Sequence, residues 1–126
     1  MSLSLACVGA GGALGAVTRF AIAEVVRTCT RWPGWVAVFA ANVLGTALLG
    51  VLHYTIGQTD AVPPELWALT ALGYCGALTT YSAFGLDTLL LWYEGRRAIA
   101  AGQFLASLAA GAAILHWIAR ALAETS

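Results

Sequence analysis

Four apolar segments, each long enough to cross a lipid bilayer, constrain this chain more than any other feature. They cover about residues 3–26, 35–56, 66–93 and 98–121. A helix needs roughly 20 apolar residues to span the hydrocarbon core. Only 10% of the residues are charged, whereas a soluble domain carries about 25%. The sequence therefore predicts an all-α integral membrane protein, with one four-helix domain over residues 1–126.

Aromatic residues mark the ends of these segments. Tryptophan and tyrosine favour the boundary between hydrocarbon and water. The residues concerned are Trp32, Trp35, Tyr54, Trp67, Trp92, Tyr93 and Trp117.

We expect the first segment to remain as a span rather than to be a cleaved signal peptide. Its start has no Lys or Arg, and its apolar run is longer than that of a signal peptide.

The positive charges are few, and all of them are arginines. Arg27, Arg31, Arg96 and Arg97 flank the first and third loops, whereas Arg120 lies toward the opposite side. The positive-inside rule then predicts that loops one and three lie in the cytoplasm and that both termini lie outside. The net charge is zero and no basic patch exists, so nucleic-acid binding is excluded.

The third segment is interrupted near its centre by residues that loosen a helix. Gly76, Thr79, Thr80 and Ser82 fall close to the middle of the bilayer if this segment spans it. Such residues are tolerated at that depth only against protein or a wet cavity. They predict a break in the third helix, where freed backbone carbonyls could coordinate a cation.

Two aromatic residues and an amide accompany this break. Tyr81 and Phe84 are three residues apart and share a helix face. Their ring edges carry partial positive charge and can face a small dehydrated anion. Asn42 adds two N–H donors in an otherwise apolar segment. The alternative interpretation is a glycine-rich packing motif with aromatic residues in the core.

Pairs of small residues four apart predict close contacts between helices. These pairs are Gly11 with Gly15, Ala41 with Gly45, and Ser107 with Gly111. Four short helices enclose little interior space of their own. We therefore expect any pore to form between subunits.

Three motifs in order along the chain resemble those of one family. They are residues 11–20 (GGALGAVTRF), residues 42–46 (NVLGT) and residues 73–84 (GYCGALTTYSAF). They are similar to the CrcB, or Fluc-type, fluoride channels, and the resemblance covers essentially the whole chain. It implies a fluoride-selective channel that lowers cytoplasmic fluoride by passive export across the plasma (inner) membrane of a prokaryote.

The resemblance also implies an assembly and a set of site residues. The assembly is an antiparallel, dual-topology dimer with two pores at its interface. Na⁺ lies at its centre, held by the backbone carbonyls of Gly76 and Thr79. The fluoride pore positions are Asn42, Tyr81, Ser82, Phe84 and Ser107, and the accessory positions are Arg19, Thr80 and Asp87. The implied partners are fluoride, sodium, membrane lipid and a second chain.

Two features depart from the family pattern. Tyr81 stands where the family more often has Phe, and its hydroxyl could bond the ion or narrow the path. The arginines are also distributed four to one between the two sides. A chain that inserts equally in both directions needs nearly balanced charge, so this chain is expected to prefer one orientation. Its partner would then be an oppositely oriented homologue, giving a heterodimer.

Two other functions compete with the channel. A small four-span proton-coupled exporter needs a carboxylate at membrane depth, and only Glu24 and Asp87 approach this requirement. A non-conducting assembly subunit would need only the small-residue faces.

An enzyme is not predicted, because no nucleophile, base and orienting group can be assembled from the sequence. His53 and His116 lie on separate segments without a matching set of metal ligands.

Overall fold

The computed structural model describes residues 2–56 and 62–123, and the regular elements within them are all helical. This confirms the predicted all-α class. The second predicted loop lies partly outside the described residues. The elements are α1 (Ser2–Cys29), α2 (Trp35–Thr55), α3 (Pro64–Trp67), a π-helical segment (Ala68–Cys75), α4 (Gly76–Leu78), α5 (Tyr81–Tyr93) and α6 (Arg97–Ala123).

Three of the described helices are long and apolar enough to cross a membrane. They are α1 over Leu3–Cys29, α2 over Trp35–Thr55 and α6 over Arg97–Leu122. They correspond to the first, second and fourth predicted segments, with ends within a few residues of those expected. The third predicted segment is not one unbroken helix, so three spans rather than four meet the length criterion.

The third segment consists of two helical halves joined by extended backbone. Helix α3, the π-helical segment and α4 form the first half, and α5 forms the second. Between them Thr79 has φ −83° and ψ 149°, and Thr80 has φ −149° and ψ 120°. The Oγ1 of Thr80 accepts a hydrogen bond from the Ala83 N–H at 3.2 Å and so caps α5. The predicted break therefore lies at these two threonines.

Helix α1 packs against the first half at backbone distance. A Cβ on Gly11 would overlap the carbonyl oxygen of Leu69, and one on Gly15 would overlap that of Tyr74. From the opposite side, a Cβ on Gly73 would lie 2.7 Å from the carbonyl oxygen of Val8. Only glycine allows so close an approach at these positions. The predicted contact through Gly11 and Gly15 is confirmed.

Helices α5 and α6 form a hairpin that folds α6 back along α2. The turn contains Gly95, whose φ of 77° favours glycine, and the Arg96 N–H donates to the Leu91 carbonyl at 2.9 Å. Ala41 of α2 and Ala100 of α6 are fully buried in this region. The hairpin brings the middle of α6 beside the helix break, and this fixes the position of the candidate site.

Candidate functional site

Asn42 is bonded to the break rather than lying free beside it. Its Oδ1 accepts a hydrogen bond from the Thr80 N–H at 2.8 Å, and its Nδ2 donates to the Thr80 carbonyl at 3.3 Å. One amide side chain thus pairs with both backbone groups of Thr80, which extended backbone would otherwise leave without helical partners. A second Nδ2–H remains for another acceptor.

The break leaves backbone oxygens without their usual donors. In a continuous helix the Gly76 carbonyl would accept from the Thr80 N–H, but that donor is committed to Asn42. The N–H and hydroxyl of Thr79 both donate to the Cys75 carbonyl at 3.0 Å. Among the described residues no donor reaches the carbonyls of Gly76 and Thr79.

These two carbonyls are the ones assigned to sodium from the resemblance. Unwound backbone carbonyls at membrane depth are typical ligands of Na⁺ in membrane proteins. Gly76 is exposed and nothing lies within 4 Å of where its Cβ would be, so this side of the break is accessible. The oxygen atoms therefore fit a hard monovalent cation.

Three aromatic rings follow one another next to the break. The rings of Tyr81 and Phe84 have centroids 6.0 Å apart and are inclined at 49°. Phe84 stacks on Phe104 of α6, with centroids 5.6 Å apart and an angle of 27°. Phe84 is only 7% exposed, whereas Tyr81 is 83% exposed. The stack fixes Phe84, while Tyr81 stands at the outer edge of the chain.

A groove of about 420 Å³ collects most of the predicted site residues. Asn42, Tyr81, Phe84 and Ser107 all line it, together with Thr79 and Thr80 at the break. Its remaining lining residues are Gly45, Thr46, Leu49, Leu108 and Leu115. Every lining side chain is uncharged. The groove therefore offers neutral hydrogen-bond donors and aromatic edges within apolar walls, a combination that suits passage of an anion without trapping it.

The other predicted site residues lie outside this lining. Ser82 is exposed, and its hydroxyl lies 3.1 Å from that of Thr80. Asp87 follows Phe84 by three residues on α5, and its Oδ2 is buried without a partner in the described part of the chain. Arg19 is on α1, which contributes no residue to the groove.

Several groove residues were missed in the sequence. Thr46 follows Asn42 by four residues and so shares its helix face, a relationship that the spacing alone could have revealed. Leu108 and Leu115 line the groove, and Phe104 stacks on Phe84 beside it, only because α6 folds back along α2 and α5. Nothing in the apolar pattern of α6 distinguishes them from lipid-facing residues.

Comparison with known proteins gives the family. A family model described as "CrcB-like protein, Camphor Resistance (CrcB)" matches residues 6–119. The "Fluoride-specific ion channel FluC" of Stutzerimonas stutzeri (strain A1501) is 36% identical over 126 residues, covering 98% of this chain and 97% of that protein.

Two further relatives carry the same name. That of Methylobacillus flagellatus is 34% identical over 112 residues, covering 88% of this chain and 87% of the relative. That of Shewanella sp. (strain ANA-3) is 41% identical over 92 residues, covering 73% of each. With its three membrane-length helices, the chain is a multi-pass membrane protein. On the family model and these relatives, it belongs to the CrcB family.

Proposed function

We propose that this chain forms a fluoride-selective ion channel that lowers cytoplasmic fluoride by passive export. The observation that carries the proposal is the uncharged groove beside the helix break, in which Asn42, Tyr81, Phe84 and Ser107 converge. Membership of the CrcB family, with relatives named as fluoride-specific channels, supports the same function. The membrane is the plasma (inner) membrane of a prokaryote.

Fluoride crosses the groove by exchanging its hydration water for uncharged protein groups that bind it weakly. The free Nδ2–H of Asn42 and the Ser107 hydroxyl donate to the ion, and the ring edges of Tyr81 and Phe84 face it. None of these groups carries a full positive charge, so none holds the anion too tightly for release. The apolar walls formed by Leu49, Leu108 and Leu115 exclude competing water. Ser82 is a further pore residue, next to the break through its contact with Thr80. Thr80, Asp87 and Arg19 are accessory residues.

The complete pore requires a second chain in the opposite orientation. In this proposal the two halves of the third segment together form a fourth span, and the assembly is an antiparallel dimer in lipid with two pores. The exposure of Tyr81 at the groove edge supports this arrangement, because a facing chain would cover a ring that one chain leaves open. The second chain is either another copy or an oppositely oriented homologue, which the arginine distribution favours.

The dimer centre would hold Na⁺ through the Gly76 and Thr79 carbonyls of both chains. Their lack of donors within the described part of one chain supports this assignment. The bound cation would supply a fixed positive charge that joins the two broken helices. In this chain, Asn42 maintains the carbonyls in place by holding the Thr80 backbone out of the helix.

A proton-coupled exporter is the second candidate, and one observation favours it. The Oδ2 of Asp87 is buried without a partner among the described residues, as a proton-carrying carboxylate would be. Glu24 is less suited to this role, because it is paired with Arg27, whose Nε donates to its Oε2 at 3.0 Å. The two candidates differ in whether transport depends on a proton gradient.

Fluoride efflux from liposomes containing only the purified chain tests the function. A fluoride electrode records the efflux at a fixed membrane potential, and chloride efflux serves as the control. Rapid, fluoride-selective efflux that is unaffected by a pH gradient supports a self-sufficient channel. Efflux driven by a pH gradient would support the exporter. If folded protein gives no efflux, co-expression with an oppositely oriented homologue separates a heterodimeric channel from a non-conducting subunit.

A further inference from the structure

The hydroxyl of Thr46 differs from those of the other described threonines. Seven of them donate to the carbonyl four residues earlier, namely Thr18, Thr28, Thr30, Thr55, Thr70, Thr79 and Thr88. Thr80 uses its hydroxyl to cap α5. Within the described part of the chain, the hydroxyl of Thr46 has no hydrogen-bond partner. It is therefore free to donate to a guest.

A second unpartnered hydroxyl lies across from it on α6. The Oγ of Ser107 is buried and has no partner among the described residues. Thr46 and Ser107 line the same small cavity of about 30 Å³, together with Phe39, Asn42, Val43 and Gly111. A space of this size accommodates about one water-sized guest. At Gly111 no atom lies within 4 Å of an added Cβ, so this stretch of α6 leaves room beside α2.

This cavity, which we call the recess, adjoins the main groove. Asn42, Thr46 and Ser107 line both spaces. The Oδ1 and one N–H of Asn42 are committed to Thr80, which leaves one N–H for the recess. Three residues with an uncommitted hydrogen-bond donor thus line one small space: Asn42 with this N–H, and Thr46 and Ser107 with their hydroxyls. The Asn42 group can only donate, and neither hydroxyl is bound to a protein acceptor.

We infer that the recess is a fluoride-binding site, in which Thr46 is a further ion-contacting residue. Fluoride is close to water in size and only accepts hydrogen bonds, so three residues with uncommitted donors suit it. Hydrogen bonds to an ionised acceptor are stronger than neutral ones. This inference rests on the proposed function and adds a place beside the groove where the ion is held before it moves on.

Paired substitutions on α2 test the site in the full-length protein in liposomes. Thr46→Val removes the hydroxyl but keeps the shape, and Thr46→Ser keeps the hydroxyl. The control is Thr55→Val, whose hydroxyl donates to the Val51 carbonyl at 2.7 Å and lines neither space. We expect Thr46→Val to slow fluoride efflux about ten-fold, because it removes a hydrogen bond to a charged group. Thr55→Val should conduct like the wild type, and Thr46→Ser, which keeps the hydroxyl, should slow efflux less than Thr46→Val does.

A binding measurement keeps this inference separate from the proposed function. Sodium fluoride should raise the thermal unfolding midpoint of the purified wild type above that in sodium chloride, since a ligand stabilises the state that binds it. Thr46→Val should need about ten-fold more fluoride for the same rise.

An equal response of Thr46→Val and the wild type to fluoride would overturn the site, whether or not the protein conducts. Wild-type protein that binds fluoride through Thr46 but gives no efflux would support the site and contradict a self-sufficient channel.

Discussion

The side-chain amide of Asn42 replaces the helix as hydrogen-bonding partner of Thr80, with bonds of 2.8 Å and 3.3 Å to the two backbone groups of that residue. The same side chain lines the groove and the recess. One residue of α2 therefore links the shape of the broken third segment to the surface that the ion would contact. Substitutions of Asn42 should therefore change two measurable quantities, the stability of the fold and the rate of fluoride efflux.

Asn42→Ala and Asn42→Asp distinguish these two effects. The alanine variant leaves both backbone groups of Thr80 unpaired, and each unpaired group costs about 1–3 kcal/mol. The aspartate variant keeps the acceptor for the Thr80 N–H but places negative charge in the anion path. Unfolding in mixed micelles should show a loss of stability for Asn42→Ala. Fluoride efflux should be strongly reduced in both. Wild-type stability of Asn42→Ala would contradict the role assigned to this pair.

Phe84→Ile should abolish most fluoride flux while the protein still assembles. It removes the ring edge offered to the ion and the stack on Phe104, but it retains apolar bulk. Loss of about 1.5 kcal/mol of aromatic interaction at the barrier slows passage about ten-fold. Electrode-recorded efflux measures the effect, and gel filtration checks assembly. Phe20→Ile is the matched control, because Phe20 is an exposed residue of α1 outside the groove. Unchanged flux in Phe84→Ile would refute the role given to this ring.

Tyr81→Phe should conduct like the wild type. The Tyr81 hydroxyl has no hydrogen-bond partner in the described ranges, and its ring already meets that of Phe84 at 6.0 Å. The substitution keeps the ring edge and removes only the hydroxyl. Tyr81→Ile removes the edge and should reduce flux. Fluoride and chloride efflux of both variants would test this. A marked gain of flux in Tyr81→Phe would mean that the hydroxyl obstructs the path.

The helix break could be predicted from the sequence, because its cause is local. Gly76 loosens the helix, and Thr80 can cap the next one with its own hydroxyl. The spacing of Tyr81 and Phe84 likewise places both rings on one face without knowledge of the fold. The membrane-length helices follow from composition alone. These features depend on residues that are neighbours along the chain.

The parts that could not be predicted depend on distant residues. Asn42 and Thr80 are separated by 38 positions, and their pairing exists only once α2 lies beside the break. The Phe84–Phe104 stack depends on the register of the hairpin between α5 and α6. The π-helical segment Ala68–Cys75 was not predicted either, and it lies where α1 comes closest to the third segment, at Gly11 and Gly73.

Gly11→Ala should destabilise the protein, whereas Gly12→Ala should not. A Cβ at Gly11 would overlap the Leu69 carbonyl, but at Gly12 nothing lies within 4 Å of the added atom. Forcing an atom into packed backbone costs about 1–3 kcal/mol. Replacing an unhindered helical glycine instead favours the helix by about 1 kcal/mol. Thermal unfolding in detergent measures the difference. Equal midpoints for the two variants would show that α1 does not pack tightly against the π-helical segment.

The orientation of the chain can be measured at Cys29, which is exposed at the end of α1, whereas Cys75 is buried. Arg27 and Arg31 lie on either side of it, so the positive-inside rule places this thiol at the cytoplasmic face. A membrane-impermeant maleimide should label it in inverted vesicles far more than in intact cells, and Cys29→Ser gives the background from the other two thiols. Equal labelling from both sides would mean that the excess of arginines, four on one side of the membrane against one on the other, does not fix the topology of the chain. The second chain of the proposed antiparallel dimer could then be an identical copy, with no need for an oppositely oriented homologue.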